Sequence, residues 1–442
     1  MQTRLPAKIL CYFTVLLAVA GAASLPYLFE SPSLFYKFGA DKLMLRWGKI
    51  TGLVAGVLIV FQAVSAARFA FLDRVFGLDR LWGFHKINGL VILALALSHP
   101  VLILGADGFD FFPFTRRYWP EFLGIGVFLL LVGLVLTAWF HHRLIKDWQI
   151  WFAMHRFTAL LVFILIFVHV WFVSKPFESG IPFWLLTGAF LTSLLVLGIK
   201  WVTAGGLFIR KYRVTAVDAL ARDAWQVGAC PESGDGFDYL PGQFAFVRPR
   251  GKDLPKESHP FTISSSPHTK DRIEFIIRSC GDFTRTVRRL KPGDTLCIDG
   301  PYGRFSHRLL TRKRPVVMIA GGIGITPMMS MLRYMAATGF DPPVYLVWSN
   351  KTADHLMFKS EFDDMASRLK SLVVEHILTR EPVHQTRFKR INRESLSAVL
   401  KPVSRDAAVF ICGPPPLVLS VRPILRELEF DPRRVYTESF LL

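Results

Sequence analysis

The chain has 442 residues, of which 52% are hydrophobic, and it carries a formal net charge of +19. Its length favours about three domains, and its apolar excess excludes an ordinary soluble protein. The basic residues are scattered, which argues against nucleic-acid binding and favours a basic membrane face and phosphate-bearing ligands. Five cysteines without a CxxC pair argue against a disulfide framework, a zinc site and an iron–sulfur cluster.

Long apolar runs fill residues 8–203, whereas residues 210–442 have the composition of a soluble α/β region. A helix needs about 20 apolar residues to cross the hydrocarbon core of a membrane. Six windows reach this length: about 8–28, 46–67, 82–104, 120–140, 151–174 and 181–203. The first window has the basic start and small residues of a signal peptide, but its apolar run continues to about Phe29 and predicts an uncleaved span.

Basic residues concentrate at alternate ends of these windows, namely at residues 4–8, 68–80, 143–146 and 210–213. The opposite ends carry acidic residues, which are Glu30, Asp41, Asp107, Asp110 and Glu178. Lys42, Arg46, Arg116 and Arg117 also lie there and make the bias moderate. The positive-inside rule predicts six spans in the cell (inner) membrane, with both termini and the soluble half in the cytosol.

Histidine is rare within membrane spans and normally marks a function there. The third window holds His85 and His99, and the fifth holds His155 and His169. Each pair is fourteen residues apart, which is about 21 Å along a helix and nearly on one face. Because the two spans run in the same direction, one imidazole from each helix lies at each of two depths.

Two imidazoles at one depth can ligate a haem iron from both sides. The sequence therefore predicts two stacked b haems, one held by His85 with His155 and one by His99 with His169. Histidines that only pack between helices are the alternative, and the equal spacing argues against it. Glycines at 48, 52 and 56 predict a helix-packing face, and those at 83, 89 and 124 are candidates for close approach of a macrocycle.

The soluble half changes character near residue 312. Short strand candidates at 244–247, 273–277 and 295–298, bounded by Pro-Gly turns, predict an antiparallel β-barrel over 209–311. Beyond it, strand candidates alternate with helical segments such as 328–337, which predicts a parallel doubly wound sheet over 312–442. These strand candidates are 315–320, 344–348, 372–379, 407–411 and 434–436.

Gly321, Gly322 and Gly324 lie between the first of these strands and a helix. Bare backbone N–H groups and the helix dipole there favour a bound phosphate. A tight turn without a ligand is the alternative reading of the glycines alone.

Three motifs accompany the paired histidines: His-Pro-Phe-Thr-Ile-Ser-Ser at 259–265, Gly-Gly-Ile-Gly-Ile-Thr-Pro at 321–327 and Cys-Gly-Pro-Pro at 412–415. In this combination the chain resembles the transmembrane ferric reductase and NADPH oxidase superfamily, in particular a bacterial NADPH oxidase. Its soluble half resembles a ferredoxin–NADP reductase. The resemblance implies a multidomain membrane protein: a six-helix haem domain at 1–208, a β-barrel FAD domain and a doubly wound NAD(P)-binding domain.

The resemblance also implies roles for individual residues. The flavin ring would be bound by His259, Pro260, Phe261, Thr262, Ile263 and Ser264, with Phe261 against the ring and Thr262 near its reactive nitrogen. The FAD pyrophosphate would be bound by Arg278, Gly281 and Thr284.

The same resemblance implies a dinucleotide site. The NAD(P)H pyrophosphate would be bound by Gly321, Gly322, Gly324, Thr326 and Pro327, and the nicotinamide site would be lined by Cys412, Gly413 and Pro414. Arg380 stands where NADPH-selective members bind the 2′-phosphate, which favours NADPH over NADH. Phe440 resembles the terminal aromatic residue that stacks on the flavin, although Leu441 and Leu442 follow it.

The implied activity is transfer of electrons from cytosolic NADPH through FAD and two b haems to an acceptor across the membrane. Dioxygen, giving superoxide, is the first choice of acceptor, and a ferric chelate is the second. Animal oxidases carry a further histidine one turn beyond the outer ligand, where this chain has Ile103. Arg46 is a candidate contact for the acceptor or a haem propionate, or else an interfacial anchor.

Two other classes of function stay open. One is a membrane electron-transfer subunit that serves a partner protein, and the other is a haem-free channel or scaffold. The intact flavin and nucleotide motifs argue against both, and no obligatory protein partner is evident.

Overall fold

The computed structural model describes residues 4–30, 38–110, 113–145, 147–173, 177–202, 209–251, 254–255, 257–310, 313–369, 371–381, 388 and 390–439. The chain divides into two compact units, Gln2–Val202 and Thr203–Leu442. We call them the helical unit and the soluble unit.

The helical unit is built from α1 (Arg4–Leu28), α2 (Gly39–Ala66), α3 (Ala70–Phe76), α4 (Leu78–Ala106), α5 (Trp119–Leu144), α6 (Trp148–Val173) and α7 (Gly180–Val202). Within the described residues, all but the short α3 are long and apolar enough to cross a membrane. They coincide with the six predicted windows, and the chain is a multi-pass membrane protein.

Helices of this unit pack in antiparallel pairs, with α2 against α4 and α5 against α6. Large apolar side chains face outward, such as Trp184 at 71% exposure and Leu195 at 64%. Lipid rather than protein covers such surfaces, which explains why these helices are apolar on every side. Hydrophobicity therefore does not distinguish the interior positions, which include large side chains such as Phe163 and Phe167 as well as the polar Asn88.

The first part of the soluble unit is antiparallel. Its strands are β1 (Arg210–Ala221), β2 (Ala224–Pro231), β3 (Phe244–Arg250), β4 (His259–Thr262), β5 (Ile273–Arg278) and β6 (Thr295–Tyr302), with the short helix α8 (Asp282–Thr286) after β5. The strand order is β4-β3-β6-β1-β2-β5. A bridge between Ile263 and Phe275 joins the two edge strands, as the predicted barrel requires.

The second part is parallel. It contains β7 (Val316–Gly321), α9 (Ile325–Thr338), β8 (Val344–Asn350), α10 (Lys359–Arg368), β9 (Leu372–Leu378), α11 (Arg393–Leu400), β10 (Ala408–Gly413), α12 (Pro415–Glu427) and β11 (Val435–Ser439). The sheet order is β11-β10-β7-β8-β9. Successive β7 residues enter two apolar clusters on opposite faces, Met318 in one and Ile319 in the other. Two covered faces explain the unbroken apolar run of this strand.

The order reverses between β7 and β10, and α/β sheets bind ligands in the crevice at such a switch point. Both predicted nucleotide motifs follow these two strands. The helix after β7 begins at Ile325 rather than near the predicted residue 328, because a 3-10 turn at Gly322–Gly324 leads directly into it. Pro327 lies in the first turn, where a missing N–H is tolerated.

Candidate functional site

The four histidines predicted as ligands form two pairs between α4 and α6. We call them the 85/155 pair and the 99/169 pair after their residue numbers. In both pairs the ring centroids are 6.3 Å apart, and the interplanar angles are 58° and 81° respectively. Two metal–nitrogen bonds of about 2 Å on opposite sides of one iron, together with the ring radii, give a centroid separation of about 6 Å. The observed spacing fits ligation of one iron by each pair.

Backbone carbonyl groups orient the rings of the 99/169 pair. The Nδ1 atom of His99 lies 2.8 Å from the carbonyl oxygen of Gly48, and that of His169 lies 2.8 Å from the carbonyl oxygen of Pro120. A carbonyl only accepts hydrogen bonds, so Nδ1 carries the proton and Nε2 keeps its lone pair. This neutral tautomer is the metal-binding form of imidazole. The hydrogen bond from Nδ1, which we call the outer bond, fixes the orientation of the ring.

The two rings of the 85/155 pair differ in their hydrogen bonding. The Nδ1 atom of His85 is 3.3 Å from the carbonyl oxygen of Gln62, whose side-chain amide donates to the His85 carbonyl at 2.8 Å. Asn88 donates to the Gln62 side-chain oxygen at 2.8 Å. The Nδ1 atom of His155 is buried and has no hydrogen-bond partner among the residues that the structure describes. One ring of this pair therefore lacks the outer bond that the other three possess.

Two glycines make room for the 99/169 rings. A Cβ atom at Gly52 would stand 2.8 Å from Nδ1 of His99, and one at Gly124 would stand 2.6 Å from Cε1 of His169. Both distances are too short for any residue with a side chain. Gly124 thus accommodates an imidazole, whereas Gly83 faces open space and Gly89 faces Gln62.

The donor set suits an iron porphyrin better than a bare metal ion. Among the described residues, no group of three or more His, Cys, Asp or Glu side chains is arranged to hold a metal. A porphyrin supplies its own equatorial nitrogens, so two axial imidazoles suffice. The residues present fit the predicted haem ligation.

We call residues 259–264, which are predicted to bind the flavin ring, the flavin segment. It comprises β4 and the two residues after it. The rings of His259 and Phe283 stack with centroids 4.0 Å apart, and Phe261 stacks on Phe283 at 5.9 Å. Thr262 is 4% exposed, and its Oγ1 atom has no hydrogen-bond partner within the described ranges. An orphaned buried hydroxyl in the same short segment as the partly buried rings of His259 and Phe261 fits a polar, planar ligand such as a flavin ring. Pro260 is exposed, while Ile263 and Ser264 are buried.

Of the residues predicted for the FAD pyrophosphate, Arg278 lies close to the nucleotide loop. Arg278 donates from Nε to Asp223 at 2.7 Å, and its guanidinium reaches Gly322, where a Cβ would stand 3.2 Å from Nη1. Gly281 precedes α8. Thr284 is engaged locally, because its Oγ1 atom accepts from the Cys280 N–H at 2.7 Å. Arg278 is consequently within reach of either phosphate site.

The glycine loop and the Cys-Gly-Pro segment meet at the switch point. A Cβ at Gly324 would collide with the carbonyl oxygen of Cys412, and one at Gly413 would stand 3.1 Å from the Gly321 nitrogen. Gly322 adopts φ = +55°, in the left-handed region that glycine tolerates. These glycines let the two backbone segments touch at the switch point.

Cys412 has a completely buried thiol within an apolar cluster. Burial raises the pKa of this thiol well above its usual range, and the nearby Glu438 carboxylate adds to the effect. The thiol therefore stays protonated at neutral pH. Thr326 and Pro327 are buried as well, and the Thr326 hydroxyl donates to the Ile323 carbonyl at 3.1 Å.

Two predicted site residues lie at the edge of this region. Arg380 is exposed just after β9, and its N–H donates to the Lys351 carbonyl after β8 at 2.9 Å. Pro414 is exposed after β10. Phe440 lies outside the described residues, as do Leu441 and Leu442.

Sequence reasoning missed one residue that supports the glycine loop. Trp348, at the end of β8 and fully buried, donates from Nε1 to the Gly322 carbonyl at 2.9 Å. A buried tryptophan needs a partner for its N–H, and this one stabilises the loop conformation. No periodicity or motif distinguishes it from an ordinary core residue.

Known families match along the chain in the order of its domains. A ferric reductase like transmembrane component matches residues 51–167, an FAD-binding domain matches 213–306, and an oxidoreductase NAD-binding domain matches 318–422.

Curated relatives share part of the chain. The 2-halobenzoate 1,2-dioxygenase electron transfer component of Burkholderia cepacia is 29% identical over 233 residues, 52% of this chain and 66% of that protein. The propane 2-monooxygenase reductase component of Mycolicibacterium goodii is 29% identical over 251 residues, 53% and 69% of the two chains. NADH-cytochrome b5 reductase 2 of Mycosarcoma maydis is 31% identical over 178 residues, 39% and 50%. The chain thus spans 50% to 69% of the length of these relatives.

The three matched domains agree with the six apolar helices, the antiparallel sheet and the parallel sheet, in the same order. The chain is a membrane oxidoreductase with the ferric reductase/NADPH oxidase-like architecture and a ferredoxin–NADP reductase-like C-terminal half.

Proposed function

We propose that the protein passes electrons from cytosolic NADPH to an acceptor on the far side of the cell membrane. The observation that carries this proposal is the pair of histidine levels, each with ring centroids 6.3 Å apart. When bound, FAD accepts hydride and releases single electrons, and two b haems conduct them through the bilayer. NADH is the alternative donor. The moderate bias of basic residues supports a cytosolic soluble unit.

The flavin ring would lie against Phe261, with the Thr262 hydroxyl at its reactive edge. The orphaned Oγ1 atom of Thr262 supports this role, because a buried hydroxyl without a partner is costly unless a ligand satisfies it. His259, Pro260, Ile263 and Ser264 would complete the segment. Arg278, Gly281 and Thr284 would bind the FAD pyrophosphate, with Asp223 holding the Arg278 guanidinium.

The dinucleotide would lie in the crevice between β7 and β10. Gly321, Gly322 and Gly324, with Thr326 and Pro327, would present backbone N–H groups to its pyrophosphate. Cys412, Gly413 and Pro414 would line the nicotinamide end, where the neutral Cys412 thiol excludes water without adding charge. Arg380, exposed just after β9 at the edge of the sheet, would bind the 2′-phosphate of NADPH. Phe440 would cover the flavin ring.

The acceptor we propose is dioxygen, which takes one electron to become superoxide. An anionic ferric chelate is the second candidate and would need free cations. Arg46 and Lys42 lie in the first turns of α2, and both pair with Glu30, while the Arg46 guanidinium also covers the Tyr27 ring at 4.3 Å. Engagement of these two cations favours a neutral acceptor, whereas Arg116 and Arg117, predicted on the same side, are exposed. This arrangement also favours Arg46 as an anchor at the membrane interface.

The test uses purified full-length protein supplied with FAD and haem. NADPH is added, and superoxide and ferrous iron are assayed in parallel with wild type and His99→Leu. We expect superoxide from wild type, and we expect His99→Leu to lose one haem spectrum and acceptor reduction while NADPH still reduces the flavin. Acceptor reduction that survives His99→Leu, or a spectrum with fewer than two haems in wild type, would refute the proposal.

A further inference from the structure

Arg333 lies on α9, the helix that starts at the glycine loop, but its side chain reaches into the antiparallel barrel. Its Nη1 atom donates to the carbonyl oxygen of Ser264 and to the carboxylate of Glu274, both at 3.0 Å. Ser264 ends the flavin segment, and Glu274 lies on β5. These two residues form the seam that closes the barrel, because the Ser264 N–H donates to the Glu274 carbonyl at 2.8 Å.

The guanidinium is fully engaged on its other side as well. Its Nε and Nη2 atoms donate to the two carboxylate oxygens of Glu361 on α10, at 2.6 and 3.0 Å. The Arg333 side chain is 14% exposed, and a bidentate pair at such a site is strong and directional. Lysine has a compact charge and no planar fork, so it cannot reproduce this set of contacts.

A second contact joins the same two elements. The hydroxyl of Ser330, one turn before Arg333 on α9, donates to the Ser265 carbonyl at 2.8 Å and is completely buried. The Ser265 hydroxyl in turn accepts from the Glu274 N–H at 3.0 Å. The helix thus holds two consecutive carbonyl groups, that of Ser264 at the end of the flavin segment and that of Ser265 directly after it.

We infer that Arg333, assisted by Ser330, is a positioning residue that sets the distance and angle between the flavin ring and the nicotinamide. The inference rests on the proposed function. Ser264 follows Thr262 by two residues, and Arg333 follows the start of α9 by eight, which is about 12 Å of rigid helix. We call the contacts of Arg333 and Ser330 with Ser264, Ser265 and Glu274 the latch. The latch connects the strand predicted to hold the flavin ring to the helix whose amino end would face the dinucleotide.

Hydride transfer depends steeply on the approach of the reacting atoms, and a displacement of about 1 Å costs on the order of a hundredfold in rate. Loss of the latch leaves both binding segments folded on their own strands. We therefore expect the rate constant for flavin reduction to fall while the affinity for each ligand changes little. That split separates a positioning role from a merely structural one.

The experiment compares full-length wild type with Arg333→Lys, Arg333→Met and Ser330→Ala in the presence of FAD. The matched control is Arg368→Met, which removes an exposed arginine of α10 that pairs with Asp364. Anaerobic stopped-flow mixing with NADPH gives the limiting rate constant and the nucleotide Kd. Absorbance gives the FAD content and the charge-transfer band, and amide hydrogen exchange reports on residues 262–274.

We expect both Arg333 variants to keep FAD, to reduce it about 10- to 100-fold more slowly, and to bind nucleotide within about threefold of wild type. Their charge-transfer band should weaken and amide exchange near Ser264 should accelerate. Ser330→Ala should show a smaller change of the same kind, and Arg368→Met none.

Unchanged rate constants at full FAD content would overturn the inference, and so would loss of FAD with a normal rate for the flavin that remains. If light reduces wild-type flavin but neither NADPH nor NADH does, the proposed function fails. The amide exchange near Ser264 then still decides whether the latch exists, because it needs no electron donor.

Discussion

The two histidine pairs of the helical unit share one ring spacing but differ in how their rings are held. Both rings of the 99/169 pair donate to backbone carbonyls at 2.8 Å. In the 85/155 pair, one ring makes a longer contact of 3.3 Å, and the other has no partner in the described part of the chain. The 99/169 rings also pack on glycines, whereas the 85/155 level relies on the side chains of Gln62 and Asn88.

This difference carries a consequence for haem chemistry. A hydrogen bond at Nδ1 makes the imidazole a more basic ligand, which stabilises the oxidised metal. We therefore expect the haem proposed at the 99/169 pair to have the lower reduction potential of the two. A more strongly reducing haem at the 99/169 pair suits one-electron reduction of dioxygen. The reduction potential at each histidine pair can be tested separately.

The largest effect should come from removing one ligand at each level. His169→Leu should eliminate the lower-potential component of a redox titration, and His155→Leu should eliminate the higher-potential one, because each substitution removes one of the two imidazoles that would hold the haem of that pair. The measurement is Soret and α-band absorbance against applied potential in purified protein. Loss of the same component in both variants would show that the assignment of potentials to levels is wrong.

The next largest effect should come from a substitution at Gly124, which makes room for the His169 ring. Gly124→Ala places a methyl group against the His169 ring and should cost about 1–3 kcal/mol of stability through overpacking. It should also lower the content of the low-potential haem. Gly126→Ala is the matched control on the same helix, since nothing lies within 4 Å of a Cβ there. Equal haem content and thermal stability in the two variants would contradict this role for Gly124.

Much of this arrangement could be predicted from sequence, because it depends on spacing. Fourteen residues on a helix fix both the depth and the face of each histidine. The three domains, their order and the β7–glycine–α9 unit also follow from local pattern and motif. By contrast, the acceptors for the Nδ1 atoms are backbone carbonyls of Gly48, Gln62 and Pro120. Every residue carries a carbonyl, so only the packed structure reveals which ones are used.

In the soluble unit, too, the sequence does not reveal which residues make the supporting tertiary contacts. Trp348 and Arg333 support the glycine loop and the flavin segment through tertiary contacts with residues far away in sequence. Neither belongs to a motif, and each is typical of a core or surface position by residue type alone. In the helical unit, Gly52 lies at a helix contact as predicted, and only the structure reveals that the side chain it makes room for is His99.

A smaller effect should follow from removing the side-chain support of the 85/155 pair. Gln62→Leu deletes the bonds to the His85 carbonyl and to Asn88, and should cost about 0.5–2 kcal/mol, as polar contacts between membrane helices usually do. The higher-potential component should broaden or shift while the lower one stays constant. The redox titration measures both at once. A shift of the lower-potential component alone would show that Gln62 does not support the 85/155 pair.

The smallest effect concerns the unpartnered Nδ1 atom of His155. The Nδ1 atom of His169 contacts the Pro120 carbonyl on the antiparallel helix α5, and a shift of fourteen residues along both helices predicts Leu134 opposite His155. The Thr137 hydroxyl lies beside this carbonyl, because its single proton is shared between the Gly133 carbonyl oxygen at 2.8 Å and the Leu134 carbonyl oxygen at 3.1 Å.

Thr137→Val removes that hydroxyl and leaves the Leu134 carbonyl available to His155. We expect the higher potential to fall toward the lower one, because the His155 ring then gains the outer bond that the other rings have. Thr137→Ser keeps the hydroxyl and should leave both potentials at their wild-type values. If Thr137→Val and Thr137→Ser titrate alike, the absent bond at His155 does not set the difference between the two levels, and the cause must lie in solvent access or in the charge around the haems.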